Sequence, residues 1–251
     1  MRQGRLWVGL SLLATLTSCT QFDVAVAGGY TQLSVSGDVG LDSSGSPVID
    51  QSIESIGLGE DQGSAYARLE VDMGVPQLAI SGFRFEEQGR GTLGANFGNV
   101  PATADVVTDL RLDNIKLSYT FELELGPISL APGLAVDWFD IDLRVADEVG
   151  IASEEVQVTG PVPLLFLQGE ADLGYVGLVG EVGYLAVPEI EDVEASLLDV
   201  DVRVEVYPTD WVDLFVGYRS IMIEGNGTSD DEDYDLDLEL SGFFVGGGFR
   251  F

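Results

Sequence analysis

The residues with the most capacity for chemistry in this 251-residue chain are carboxylates, and the residue missing altogether is histidine. There are 43 Asp and Glu against 11 Lys and Arg, no His, and a single cysteine, Cys19. Imidazole is the one side chain that ordinarily titrates near neutral pH, so histidine-based acid–base catalysis is excluded. An acid-only mechanism would need a cleft to hold paired carboxylates. The densest acidic run is Asp230, Asp231, Glu232 and Asp233 with Asp235, after the flexible Gly225-Asn226-Gly227. Oxygen ligands of this kind suit Ca2+ or Mg2+, although no Gly occupies the sixth position that an EF-hand loop requires. The plainer reading is a solvated acidic loop. No other cofactor is called for.

A second group of charges alternates with apolar residues. Arg68, Glu70 and Asp72 interleave with Ala67, Leu69, Val71 and Met73; Asp199, Asp201, Arg203 and Glu205 interleave with Leu198, Val200, Val202, Val204 and Val206; Asp213 and Arg219 lie among Val212, Leu214, Val216 and Tyr218. Glu170 and Asp172 extend the set on another segment. Period-two alternation places all of these charges on one face of extended strands. If that face lines a confined interior, the arginines and carboxylates must pair, because an unpaired charge in low dielectric is costly. Such a network either fills the interior or, through its excess carboxylate, lines a cation-preferring conduit. The net charge of −32 excludes nucleic acid as a partner, since phosphate binding needs the opposite sign. Lys116 is the only lysine, a usage that resembles salt-adapted proteins.

The elements that would position these residues begin after an export leader. Arg2 and Arg5 form a basic start, followed by an apolar core over Leu6–Leu16, too short to span a membrane as a helix. Leu16-Thr17-Ser18-Cys19 matches a lipobox, which makes residues 1–18 a signal peptide and Cys19 a lipidated first residue. The competing cut follows Ala27, after Ala25-Val26-Ala27. Residues 19–251 then form one domain. With one cysteine, no intrachain disulfide exists.

Alternating segments of about ten residues separated by turn signals predict an all-β, closed, antiparallel up-and-down transmembrane barrel of about ten strands, with eight or twelve as neighbouring counts. The strands fall near 22–39, 64–74, 77–86, 105–123, 128–145, 156–173, 175–187, 195–207, 211–223 and 233–251. Short turns near 74–76, 124–127, 173–175 and 208–210 alternate with longer connections near 40–63, 86–104, 146–154, 188–194 and 224–232, as periplasmic turns and external loops would. An even count puts both termini on the periplasmic side of a bacterial outer membrane. Phe243, Val245, Gly247, Phe249 and Phe251 alternate up to an aromatic terminus, resembling the signal read by the barrel-assembly machinery. Tyr30, Tyr119, Trp138, Phe139, Tyr184, Trp211, Tyr218 and Phe251 are expected in interfacial girdles. Several strands change phase midway. Leu110 and Leu112 give way to Ile115, Leu117 and Tyr119, and Leu236, Leu238 and Leu240 give way to Phe243 and Val245. Either bulges or strands running past the lipid would account for this.

Gly160-Pro161-Val162-Pro163-Leu164-Leu165, the stretch Trp211–Arg219 and Leu240-Ser241-Gly242-Phe243-Phe244 with the Phe-Arg-Phe end resemble a family of uncharacterised bacterial outer-membrane barrels of about this length. Gly28-Gly29-Tyr30 and Ser36-Gly37-Asp38 are similar as well. The resemblance implies a fold and a membrane, and it brings no catalytic residues. Barrel enzymes of that membrane, including lipid A deacylases, acyltransferases, phospholipases and omptin-like proteases, rely on a histidine base. The expectation is therefore a non-enzymatic barrel with a structural or surface-interaction role and acidic external loops. Outer-membrane lipid and lipopolysaccharide are its expected surroundings. A narrow cation-preferring channel is the alternative, and a soluble lipoprotein sandwich a third reading.

Overall fold

The computed structural model describes residues 22–42, 49–190, 193–229 and 232–251. The leader, Cys19, Asp230 and Asp231 lie outside the described residues, and nothing is described of the Glu232 and Asp233 side chains. Twelve strands run in chain order: β1 Asp23–Asp42, β2 Gln51–Ser52, β3 Gln62–Asp72, β4 Pro76–Thr92, β5 Asp105–Phe121, β6 Leu123–Leu125, β7 Ile128–Asp147, β8 Ser153–Asp172, β9 Val176–Ile190, β10 Val193–Thr209, β11 Val212–Ser229 and β12 Glu232–Arg250. β2 and β6 are short additions. The other ten form an antiparallel meander in which each strand pairs with its neighbour in the chain. β1 closes on β12 through a register running from Ala25↔Arg250 to Asp42↔Asp233. Closure leaves the sheet without a free edge along this seam, as a bilayer demands.

One end of the barrel carries tight turns and both chain ends. Asp72 and Asp172 each accept the N–H of a glycine two residues on, Gly74 and Gly174, at 2.7 Å, and both glycines have positive φ. These are Asx turns, in which a short carboxylate replaces a backbone acceptor. The opposite, loop end rises further than the sequence suggests. β4 continues to Thr92 and β11 to Ser229, where longer loops are expected.

The phase changes have a single cause. Along β5 the facing of residues alternates without interruption from Asp105 to Phe121, and the registers to β4 and β7 contain no shift. What changes is the chemistry of each face. Toward the turn end, Ile115, Leu117, Tyr119 and Phe121 point outward and are exposed, while Asn114, Lys116, Ser118 and Thr120 are buried inside. Toward the loop end, Leu110 and Leu112 are buried inside while Asp109 and Arg111 face out. β12 behaves alike, with Leu238 and Leu240 inward, Phe243 and Val245 outward, and unbroken registers on both sides. Bulges are therefore not the explanation on these strands. Among the described residues, register shifts occur only in the ladders of β10, at Val206/Thr209 and Val193/Ala195. The turn-end half is built for lipid outside and charge inside, and the loop-end half is built like a soluble barrel around an apolar core.

That core unites strand residues such as Val35, Phe85, Leu112, Ile141 and Val145 with residues of two loop segments, Ile53, Ile56 and Leu58, and Leu93, Phe97 and Val100. Phe97 and Val100 are at most 1% exposed. Phe139 also belongs to this interior, which corrects its expected place in a girdle. The loop segments are pinned by Ile53 N–H to Gly37 O at 2.9 Å, Thr92 N–H to Ser55 O at 2.9 Å, and the Gln51 side-chain oxygen accepting Gly94 N–H at 2.8 Å. The segment Ser55–Gly57 lies directly on the backbone of β4. A Cβ on Gly89 or Gly91 would come within about 2 Å of Gly57 O or Ser55 O, so only glycine permits this approach.

Candidate functional site: a layered interior

The interior is stacked in three layers. At the turn end a cavity of about 530 Å3 opens outward, lined by Glu70, Asp72, Glu122, Glu170, Asp213 and Arg250 among others. Above it lies a buried layer of charges. Above that sits the apolar core of the loop-end half.

Two carboxylates organise the charged layer. Glu181, 1% exposed, receives Arg68 Nη2 at 2.8 Å, Arg203 Nη1 at 2.8 Å and Lys116 Nζ at 3.3 Å. Asp199, equally buried, receives Lys116 Nζ at 2.9 Å and Arg219 Nη2 at 2.8 Å. The chain of contacts continues toward the turn end. Arg203 Nε donates to Glu205 at 2.7 Å, and Glu205 also accepts from Tyr207 OH at 2.7 Å and Arg250 Nη2 at 2.8 Å. Arg68 Nε reaches Glu70 at 3.0 Å, and Arg250 Nε reaches Asp213 at 3.4 Å. Asp201 lies 3.6 Å from Arg203 Nη1. Phe83 and Phe166 stack over Arg219 and Lys116, at 5.0 and 5.4 Å, where polar interior meets apolar core. Asp137, fully buried, accepts from Asn114 Nδ2 at 3.3 Å, and its other oxygen has no partner among the described residues.

The structure brings Arg68, Glu70, Asp199, Asp201, Arg203, Glu205, Asp213 and Arg219 together in or beside this layer. Glu170 and Asp72 line the cavity below it. Asp172 is a correction. It is exposed and spends its carboxylate on the turn at Gly174, because alternation has ended by that residue. Sequence reading missed Lys116, Glu181, Asn114, Asp137 and Arg250. Lys116 carried a signal, since Asn114, Lys116, Ser118 and Thr120 are polar at every second residue. Glu181 is the one acid in the glycine-rich apolar stretch Val176–Val187, and Arg250 hides between two aromatic residues of the terminal pattern.

Outside the membrane-facing region the charges behave differently. Asp113 is partly desolvated, yet bonds from Arg84 and Arg111 hold its carboxyl below the usual range. Burial pushes the Glu87 carboxyl up, although backbone N–H groups of Glu60 and Gly59 pull the other way. The Asp235 carboxyl is pushed up by partial burial and then by Asp50 and Asp237. Among the described residues no group of three or more acidic or cysteine side chains is placed to hold a metal ion.

Ile115, Leu117, Leu134, Leu165, Leu178, Val204, Val216 and Phe243 form an exposed apolar belt around the turn-end half. Tyr30, Trp138, Tyr184 and Tyr218 border it toward the loops, and Trp211 and Phe251 toward the turns, each exposed by two-fifths or more. A closed antiparallel barrel with such a belt is an outer-membrane β-barrel.

The sequence matches no protein-family model and no curated protein. Among solved structures, the outer-membrane protease OmpT from Escherichia coli superposes with a TM-score of 0.54 at 12% identity, covering 94% of this chain and 99% of that one. The translocator domain of the autotransporter NalP from Neisseria meningitidis gives 0.43 at 14% identity, covering 97% and 93%. Ail, the attachment invasion locus protein of Yersinia pestis, gives 0.41 at 10% identity, covering 92% and 99%. At these identities the likeness concerns the fold. It nevertheless corrects one expectation, that the chain is no enzyme. A protease has this fold across nearly its whole length, so the fold is compatible with catalysis. The missing imidazole removes a histidine base and nothing more.

Proposed function

We propose that this chain is a sealed outer-membrane barrel that presents its acidic loop-end half at the cell surface for structural or surface contacts. In this orientation the turns, both termini and the lined cavity face the periplasm. The observation that carries the reading is the double occlusion of the interior, first by the Glu181–Asp199 charge layer and then by the packed core over Phe97 and Val100. Ten-stranded barrels have interiors that side chains largely fill. Outward-facing Glu86, Asp109, Asp113, Asp140, Asp142 and Glu155 make the protruding half a surface for cationic partners. Asp235 with the acidic run at Asp230–Asp233 offers oxygen ligands of the kind that divalent ions bridging lipopolysaccharide would accept.

The rival reading is a narrow cation-preferring channel, which the surplus carboxylate of the periplasmic cavity favours. Planar-bilayer recording separates the two. The sealed barrel gives no stable conductance steps after insertion, whereas reproducible cation-selective steps would sink it.

A further inference from the structure

The cavity at the turn end has an uneven balance of charge. Nine carboxylate side chains line it, against the guanidiniums of Arg68, Arg203 and Arg250. Those three cations are already taken. Arg68 serves Glu181 and Glu70, Arg203 serves Glu181 and Glu205, and Arg250 serves Glu205 and Asp213. Two of the remaining acids are also engaged, Asp72 with the Gly74 N–H and Glu122 with Gln77 Nε2. Glu170, which lines the cavity from β8, has neither an ion pair nor a hydrogen bond from its side chain among the described residues.

Two features set this cavity apart from a solvated acidic patch. The first is Asp213, which lines it from β11 and is only 6% exposed. Its Oδ2 lies 3.4 Å from Arg250 Nε, but its Oδ1 is buried without a partner among the described residues. A carboxylate oxygen withdrawn from water and left unpaired is costly, and a donor entering the cavity relieves that cost. The second is the apolar surface beside each free acid. Val179 is the cross-strand neighbour of Glu170 and is buried. Phe215 lies two residues from Asp213 on the same inward face and forms an aromatic cluster with Tyr66 and Phe244, at ring separations of 6.2 and 6.0 Å. Phe215, Tyr66 and Val179 all line the cavity. Aromatic rings of this kind attract organic cations and pack against methylene groups.

We propose that this cavity binds a linear polyamine, whose ammonium groups pair with Asp213 and Glu170 and whose methylenes lie along Phe215 and Val179. A bare divalent ion does not match. It needs several oxygens converging on one point, and among the described residues no group of three or more acidic side chains is placed to hold one. Separated carboxylates with apolar surface beside them call instead for separated charges joined by a hydrocarbon chain. The cavity volume of about 530 Å3 lies within the range of small-molecule sites. A cleft lined by one sign of charge between low-dielectric walls also concentrates counter-ions, whereas carboxylates on the open outer surface are screened by salt. The proposed orientation of the barrel decides only that the ligand arrives from the periplasm. The site itself does not depend on whether the lumen conducts.

The test is isothermal titration calorimetry of spermidine into the full chain folded in detergent micelles, at a salt concentration of about 0.15 M, where exposed charges are screened. One saturable site per chain is expected. Glu170→Gln with Asp213→Asn removes two charge-assisted hydrogen bonds and should weaken binding by about tenfold or more. Asp109→Asn with Asp142→Asn removes the same charge from the outer surface and should leave the affinity unchanged. Equal weakening by the two pairs would overturn the proposal, since spermidine would then be reading net charge. Displacement of spermidine by an equal concentration of Mg2+ would also overturn it, since the site would then select charge density over spacing. Glu170→Arg supplies a cation from the wall and is expected to abolish the site, so parental affinity in this variant would count against the proposal even if Asp213→Asn failed to fold. Heat-modifiable gel mobility reports folding of each variant. Calorimetry in micelles is blind to conductance, so its failure leaves the sealed-barrel reading to the bilayer recording.

Discussion

Glu181 is the residue on which the interior depends. Three cations converge on it, and a carboxylate so deeply buried is tolerable only because they do. Glu181→Ala leaves Arg68, Arg203 and Lys116 buried with only Glu70, Glu205 and Asp199 to offset them, and breaking a buried ion pair of this kind typically costs about 3–5 kcal/mol. Urea-induced unfolding in lipid vesicles would show the loss, and a variant as stable as the parent would mean that water reaches the layer. Glu87 shows the opposite situation, in the half beyond the lipid. Its carboxyl titrates above the ordinary range, so its contribution to stability is complete below a pH of about 4.5 and is lost as pH rises through the folded value. Glu87→Gln is therefore expected to be more stable than the parent at neutral pH and to lose that advantage near pH 4. Asp113 works in the reverse sense, stabilising at neutral pH and losing its contribution as pH falls. Comparing the unfolding midpoints of parent and Glu87→Gln across this window isolates the Glu87 effect, and a constant difference would refute it.

At the scale of the strand, one surface can obey two rules at different heights. Leu117 and Asp109 occupy the same outward face of β5, separated by four alternations. Leu117→Arg places a charge in the apolar belt, where a basic residue costs about 2–4 kcal/mol near the bilayer midplane. Asp109→Arg lies beyond the belt on a solvated surface, where substitutions usually stay within about 0.5 kcal/mol. Equal effects on unfolding in vesicles would contradict the inversion of the wall. This inversion also explains what was legible in the sequence. Alternation at Leu69, Val204 and Leu214 identified strands and their facing, because the lipid-facing half follows a period of two with one simple rule. The same period beyond Asn114 reads in sequence as a phase change that either bulges or strands running past the lipid would explain, and the unbroken registers of β5 and β12 select the second. Leu110 and Leu112 obey the period and reverse the solvent. The long strands β4 and β11 were cut short for a related reason, since their glycines and acids at Gln88–Thr92 and Glu224–Ser229 carry the composition of loops. Closure of β1 on β12, and the filling of the loop end by Ile53, Ile56, Phe97 and Val100, depend on contacts between residues far apart in the chain. Local pattern carries no trace of them.

For the whole molecule, the sealed-barrel proposal implies two barriers in series that fail by different means. The charged layer blocks by ion pairing and would weaken when its cations are removed. The apolar core blocks by excluding water from packed side chains such as Phe97 and Val100, and charge changes below leave it intact. Each barrier is sufficient by itself if both span the lumen. Lys116→Ala with Arg219→Ala should therefore leave the barrel non-conducting in a planar bilayer, despite removing two of the cations that face Asp199 and Glu181. Phe97→Gly with Val100→Gly should open the outer barrier alone and also leave it non-conducting. Only the fourfold variant should conduct, and with Asp199 then stripped of both its cations, and the buried carboxylate of Asp137 on the same side of the interior, its current should be carried by cations. Conductance from either double variant would locate the true seal in the layer that variant removed, and a silent fourfold variant with native gel mobility would place a further obstruction in the lumen.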